Sequence, residues 1–390
     1  MEIANVSNVV SKMDEIIEFD SQMNLAFIVV SLESGGTENY LLRFLKYLLE
    51  EEPNLDITII CKGGKTGSLL EEYKKLGVTI DVFKLGYLNI KNIKLFKSKL
   101  SNNFDVICDL TGNFAGISML LAKLNKVPVR IAFYRASTNH FRPSKFNLIY
   151  NSLMNKLVKR YATSILSNSI AAFDYFHSSS HKNDDRFKVI KNGVNSTIFS
   201  QELDQNDVRQ KYNLPLDTYL VGHVGRLNSA KNFETIFKVA HTLKNETING
   251  MKIKFVFCGR ETDSKKFKEK LVQHEIIESC ICLGQQSKVN EVLQCYDLFY
   301  FPSITEGQPN ALIEALISGL PFVASNIEAI KESIPASAHE CLVSPLNITK
   351  SSEKLLETIK DSNPIILKEW AINEYQAEKR FKEFKDILLK

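Results

Sequence analysis

The sequence predicts an α/β protein of two domains, each built on a parallel sheet, and three observations carry that prediction. Short apolar, β-prone runs alternate with helical patterns along most of the chain, as expected of successive βαβ units. The alternation falls into two series separated by a polar stretch, 192–216, with an Asn-Gly pair, scattered charges and Pro215, the composition of a linker. A chain of 390 residues, 44% of them apolar, suffices for two cores, because single cores rarely grow far beyond about 250 residues.

The elements follow in order. Residues 1–23 precede the first strand and read as an N-terminal extension. The first domain, 24–191, opens with an apolar strand at 25–30, and Ser34-Gly-Gly-Thr-Glu38 leads into a helix from Thr37 to about Leu49. A strand at 56–60, a helix at 67–76 and a strand at 78–83 come next. The spacing then predicts a helix at 89–100 and strands at 104–108, 128–133 and 163–167. The second domain, 217–362, carries strands at 219–225, 252–258, 280–283, 297–301 and 321–324. The last segment, 363–390, has helical spacing with Trp370, Tyr375, Phe381, Phe384, Ile387 and Leu388 on its apolar positions.

Composition narrows the function classes. Seven cysteines, at 61, 108, 258, 280, 282, 295 and 341, are an odd number without a Cys-x-x-Cys pair and read as reduced core residues. No apolar stretch approaches the roughly 18 to 20 residues that span a bilayer, and the N-terminus carries acids where a signal peptide carries bases. The net charge of +4 hides an asymmetry: residues 82–160 hold fourteen Lys and Arg against Asp105 and Asp109. Apolar residues, among them Phe141, Phe146, Ile149 and Leu153, interleave with the bases of 142–160, so this segment could lie on an anionic membrane or be a solvated helix face. No nucleic-acid motif accompanies the charge.

Three loops carry the chemistry. In 303–319, Pro302 stops a buried strand, Glu306 lies beyond its carboxyl end, and Pro309 suits the first turn of a helix on which Glu314 sits among Leu312, Ile313, Ala315, Leu316 and Ile317. Ligands collect beyond the carboxyl ends of strands in open α/β sheets, free N–H groups at a helix start favour anions, and a carboxylate in apolar company needs a partner. Gly225-Arg226-Leu-Asn-Ser-Ala-Lys231 follows another strand and joins a planar fork to a point charge, a pair suited to a diphosphate, although either residue could make a local contact instead. Gly35-Gly36 lets a backbone approach a phosphate and is also a common tight turn. The absence of Gly-x-Gly-x-x-Gly and of an acid after the second strand, where Cys61 stands, disfavours a dehydrogenase. Paired carboxylates alone would also fit a glycoside hydrolase, which has no need of Arg226 and Lys231.

Ser34–Glu38, Ile190-Lys-Asn-Gly-Val-Asn195, Gly222–Asn232, Phe257-Cys-Gly259, Leu283-Gly284 and Glu306–Gly319 occur in the order seen in family 4 glycosyltransferases (glycosyl transferases group 1), and over about 24–345 the chain resembles bacterial capsule, exopolysaccharide and O-antigen transferases. The resemblance implies a GT-B fold, two Rossmann-like domains with parallel sheets facing across a cleft, and retaining transfer from a UDP- or GDP-linked sugar with neither cofactor nor metal. It assigns Arg226 and Lys231 to the donor diphosphate and Glu314 to the ribose hydroxyls. Glu306 with Gly307, Gln308, Pro309, Asn310 and Ala311 would hold the donor sugar, Asn310 orienting Glu314, and Gly35 and Gly36 would meet the phosphates from the first domain. It implies that the C-terminal segment crosses back to the first domain; a free tail for a partner is the competing reading. Asn192-Gly193 resembles the family's turn near the domain boundary and reads first as a simple turn.

One departure stands out. The family's histidine is missing after the strand ending Cys108-Asp-Leu110 and again at Phe133-Tyr-Arg135. Asp109, as a catalytic residue, and Arg135 and His140, on the acceptor side, are the candidates to stand in, although Asp109 reads equally as a loop cap and His140 as a surface residue. The acceptor implied is a glycan, or a glycan on a polyprenyl diphosphate, made at the cytoplasmic face of the plasma membrane. A non-catalytic nucleotide-sugar-binding subunit and a nucleotide-sugar epimerase remain open alternatives from the residues alone.

Overall fold

The computed structural model describes residues 23–390 except 87–88, 102–103, 137 and 139–143. The expected extension up to residue 22 lies outside the described residues, as do His140, Phe141 and Arg142. The first domain comprises β1 (Asn24–Val29), α1 (Gly36–Glu51), β2 (Asp56–Cys61), α2 (Leu70–Lys74), β3 (Thr79–Val82), α3 (Ile90–Lys99), β4 (Val106–Asp109), α4 (Gly116–Leu124), β5 (Val129–Tyr134), α5 (Lys145–Tyr161), β6 (Ser164–Ser167), α6 (Ile170–His177) and β7 (Phe187–Val189). Its strands pair in the order β3-β2-β1-β4-β5-β6-β7, all parallel. Strand β1 lies centrally with helices on both faces, so Leu25 to Val29 are all buried and the strand reads as a continuous apolar run rather than an alternating one.

Two short helices, α7 (Ser196–Phe199) and α8 (Gln205–Lys211), occupy the stretch that composition marks as a linker. Asn195 and Asp204 cap them by accepting backbone N–H bonds, and buried Arg209 of α8 donates to Asp297 at 2.6 Å and to the Cys295 carbonyl at 2.9 Å. Much of this polar segment is therefore docked on the second domain, a tie between distant residues that local composition does not reveal.

The second domain contains β8 (Thr218–Val224), α9 (Phe233–Leu243), β9 (Thr247–Ile248), β10 (Met251–Cys258), α10 (Lys265–Gln273), β11 (Cys280–Gly284), α11 (Val289–Gln294), β12 (Leu298–Phe301), α12 (Asn310–Ile317), β13 (Phe322–Ser325), α13 (Glu328–Lys331), β14 (Leu342–Val343) and α14 (Ile348–Lys360). The sheet order is β11-β10-β8-β12-β13-β14, parallel apart from the β9 hairpin on β10. Strands β7, β9 and β14 are two or three residues long, too short for a period to show in the sequence. The tail is two helices, α15 (Lys368–Tyr375) and α16 (Ala377–Leu388), broken at Gln376, whose backbone bridges to Val194. Helix α15 contributes Ala371 and Tyr375 to the second domain's core, and α16 contributes Phe381, Phe384, Ile387 and Leu388 to the first. Phe384 packs 4.4 Å from Phe44 and Phe381 5.8 Å from Tyr40, centroid to centroid.

Candidate functional site

Strands β8 and β12 are neighbours in the second sheet, so the loops at their carboxyl ends meet. After β8, Asn228 accepts from the Lys231 N–H and caps a single 3-10 turn, and Asn232 adopts a left-handed conformation (φ 57°), which Asn tolerates better than most residues. The Asn232 amide donates to the Pro302 and Pro345 carbonyls at 3.0 and 2.7 Å, pinning this loop to the end of β12. Lys231 consequently lies beside Glu306, Nζ to Oε1 2.7 Å, with its ammonium 4.6 Å from the centre of the Phe301 ring. Arg226 is exposed on the same wall and has no ion pair among the described residues. Both cations therefore stand at the surface of a cleft, one held by an acid that a ligand's anion could displace.

Glu314 sits one helix away on α12. Burial pushes its carboxyl up to about 7, against the smaller opposing pull of Arg43 and Lys231. Arg43 belongs to α1 of the first domain, so this acid is influenced across the cleft. From the first domain the wall consists of Gly35, Gly36 and Thr37 at the start of α1, Arg135 and Ala136 after β5, and Asn168 after β6; Asn192 lies between the domains. The cavity between these walls is about 450 Å³. It continues past Gly225 and Arg226 into a second hollow of about 440 Å³ lined by Cys258, Gly259, Arg260, Gln285 and Gln286.

The domains touch around this space. The Asn192 N–H donates to Gln308 Oε1 and its side-chain amide to Asn310 Oδ1, both at 2.6 Å. The Glu332 carboxylate, after α13, accepts the Ile170 and Ala171 N–H groups at the start of α6, at 2.6 and 3.0 Å. A β-carbon on Gly307 would lie 2.6 Å from the Arg135 carbonyl oxygen, so that contact requires glycine.

The cleft brings together Gly35, Gly36, Arg226, Lys231, Glu306, Gly307, Gln308, Asn310, Ala311, Glu314 and Arg135. Four expectations are corrected. Asp109 is fully buried away from the cleft: it accepts from Lys62 Nζ at 2.8 Å and from the Thr111 N–H at 2.9 Å, because a lysine buried at the end of β2 requires a counter-charge. Pro309 caps α12 and is absent from the cleft lining. Asn310 does not bond Glu314; its side-chain Oδ1 accepts from the Asn192 side-chain amide, and its backbone N–H donates to the Gln308 carbonyl at 3.0 Å. Asn192, expected to be a turn residue, is instead a buried bridge between the domains. His140 lies outside the described residues.

Sequence reasoning missed Arg43, Asn168 and His223. The last, at the end of β8, bonds Tyr300 O through Nδ1 at 3.0 Å and is pushed down to about 3 by burial, hence neutral. A Gly-His-Val-Gly run beside Arg226 was its available signal; Arg43 and Asn168 had none.

Residues 204–377 match the family Glycosyl transferases group 1. The chain is 25% identical over 336 residues to the capsular polysaccharide biosynthesis glycosyltransferase CapH of Staphylococcus aureus, covering 84% of this chain and 89% of that protein. It is 23% identical over 309 residues to the N,N'-diacetylbacillosaminyl-diphospho-undecaprenol alpha-1,3-N-acetylgalactosaminyltransferase of Campylobacter jejuni, 75% of this chain and 79% of that protein. Among solved structures it resembles Anabaena Alr3699/HepE in complex with UDP, TM-score 0.78 and 16% identity, covering 94% of this chain and 99% of that one. These likenesses lend nothing to the epimerase or binding-subunit alternatives.

Proposed function

We propose that this chain is a GT-B glycosyltransferase of group 1 that moves a sugar from a nucleoside-diphosphate sugar to a glycan on a polyprenyl diphosphate, retaining anomeric configuration and using no metal ion. The observation that carries this reading is the convergence of Arg226, Lys231, Glu306 and Glu314 on one cavity opposite Gly35 and Gly36. The bond from the sugar C1 to the diphosphate oxygen breaks with its electron pair on the leaving nucleotide. Arg226 and Lys231 stabilise that charge, which grows in the transition state and is therefore where fixed cations accelerate most. The acceptor oxygen bonds C1, and its proton ends on the departing diphosphate. On binding, the donor phosphates compete with Glu306 for Lys231 and free that acid for the sugar hydroxyls. Glu314, as carboxylate, accepts the ribose hydroxyls. Closure of Gly35-Gly36 over the phosphates excludes water, which would otherwise compete with the acceptor.

The polyprenyl acceptor is suggested by the Campylobacter relative's name, and uridine is the first base to test because the HepE structure holds UDP. Among the described residues no helix is long and apolar enough to cross a membrane. A lipid-linked acceptor would be met from the cytoplasmic surface by α3 and α5, which expose Ile90, Leu95, Phe146, Ile149 and Leu153 beside exposed Lys94, Lys97, Lys156 and Lys159. Each basic residue near an anionic surface adds about 1 kcal/mol.

The test is transfer from radiolabelled UDP- and GDP-sugars to a lipid extract bearing glycan diphosphates. Lys231→Ala is expected to abolish transfer while the melting temperature is kept, a chelator to leave the wild-type rate unchanged, and the product anomer to match the donor's. Full activity of Lys231→Ala sinks the assignment.

A further inference from the structure

The cleft contains polar groups that the donor roles above leave unused. The Arg135 guanidinium lies 3.7 Å from the centre of the Tyr40 ring and 4.9 Å from that of Phe133, over an aromatic floor. Its Nε and Nη1 are buried and have no hydrogen-bond partner among the described residues. Burial pushes the group down to about 10, with Arg43 opposing its charge and Glu38 favouring it. Buried donors left unpaired are costly and uncommon in folded proteins. Two acceptors in the same cleft are likewise unpaired, Oδ1 of Asn168 and Oδ1 of Asn192, on side chains that are 4% and 2% exposed. All three residues line the cavity that holds Glu306 and Glu314. The Arg135 backbone is also in contact range of Gly307, in the loop assigned to the donor sugar.

These orphan groups select a ligand. Cationic N–H donors on an apolar floor call for an oxyanion, and buried amide carbonyls beside them call for hydroxyl hydrogens. A fully ionised phosphate ester fits the first and leaves the carbonyls unpaired. A neutral hexose fits the second and leaves the buried guanidinium N–H groups without an anionic acceptor. A sugar bearing a carboxylate satisfies both. We propose that the donor sugar is a hexuronic acid, its carboxylate on Arg135 and its hydroxyls donated to Asn168 and Asn192, an inference that rests on the donor-site reading above.

Calorimetric titration of the full chain with UDP-glucuronate against UDP-glucose, and with GDP-mannuronate against GDP-mannose, tests it. The wild type is expected to bind one uronate about tenfold or more tightly than its neutral partner, the scale of a charge-assisted hydrogen bond. Arg135→Met keeps the apolar stem over Tyr40 and should shrink that preference below about twofold, while Arg135→Lys, which keeps the charge and loses the planar fork, should fall between. A wild type that binds neutral and acidic partners alike overturns the proposal even if neither variant folds, and so does an unchanged preference in Arg135→Met. If no nucleotide sugar binds at all, the donor-site reading falls and takes this one with it. Binding without preference removes the uronate alone.

Discussion

Glu314 concentrates the energetics of the site. Its carboxyl titrates at about 7 in the folded chain against an ordinary 4.5, so between those values the native state holds a proton that the unfolded state has released. This acid is therefore least unfavourable to folding below pH 4.5, and stability is lost as pH rises through 7. Glu314→Gln is expected to melt above the wild type at pH 8, by about 2 kcal/mol in stability at one pKa unit per 1.36 kcal/mol and partial relaxation, with the difference closing near pH 5. Hydroxyls of ribose require the carboxylate form, so nucleotide affinity should strengthen from pH 6 to pH 8 in the wild type and stay flat and weak in Glu314→Gln. A pH-independent wild-type affinity, read by calorimetry, would remove Glu314 from the ribose.

Gly36 separates folding from binding in the opposite direction. It opens α1, and an added β-carbon meets no atom within 4 Å, so Ala is tolerated there and relieves up to about 1 kcal/mol of glycine's helix penalty. Gly36 lines the cleft, so the added methyl group is expected to take space from a ligand there. Gly36→Ala should thus melt at or above the wild-type temperature and bind nucleotide sugar several-fold more weakly; unchanged binding would show that α1 does not close on the phosphates.

At the scale of elements, the loop from β12 to α12 does two jobs: Glu306 faces Lys231, and Gly307 and Gln308 seat against the first domain. Gly307→Ala brings a β-carbon onto backbone atoms of Arg135 and Ala136, at 2.6 and 3.2 Å, which cannot swing aside as a side-chain end can. The expected outcome is a wedged cleft, with a larger radius of gyration by small-angle scattering and weaker donor binding at a melting temperature little changed. An unaltered radius would mean that the contact adapts locally. The pair α15–α16 joins the domains from behind. Phe384 is fully buried against Phe44 and Phe133, so Phe384→Ala should cost about 3–5 kcal/mol of stability by denaturant titration; a cost under about 1 kcal/mol would show that α16 is dispensable to the first core.

For the whole molecule, domain closure and membrane approach become one question, because α3 and α5 belong to the domain that would receive the acceptor. Reversing the charge of Lys94, Lys97, Lys156 and Lys159 together is expected to abolish sedimentation with phosphatidylglycerol vesicles and to leave binding of soluble nucleotide sugar intact. Vesicle binding that survives the reversal would place the acceptor's approach elsewhere.

Several parts of this protein could be read from the chain because they are locally encoded. Parallel strands buried on both faces appear as apolar runs, their ends are marked by Pro302 or by glycine, and Arg226, Lys231, Glu306 and Glu314 all follow such ends within one domain, so the second domain's side of the cleft was legible residue by residue. What tertiary structure decided is whatever depends on partners distant in sequence. Asp109 resembles a strand-end catalytic acid until Lys62, 47 positions away, is seen to occupy it; Asn192 resembles a turn until Gln308 and Asn310 meet it. Arg135 shows in sequence only as a departure from a pattern, and its two unpaired donors are a property of the floor that Tyr40 and Phe133 build beneath it. The order of residues along the chain sets the sheets and the charged loops at their carboxyl ends, because secondary structure and loop chemistry depend on neighbours along the chain. The identity of the opposing wall was decided only in the fold, because burial and unsatisfied hydrogen bonds arise from which surfaces meet.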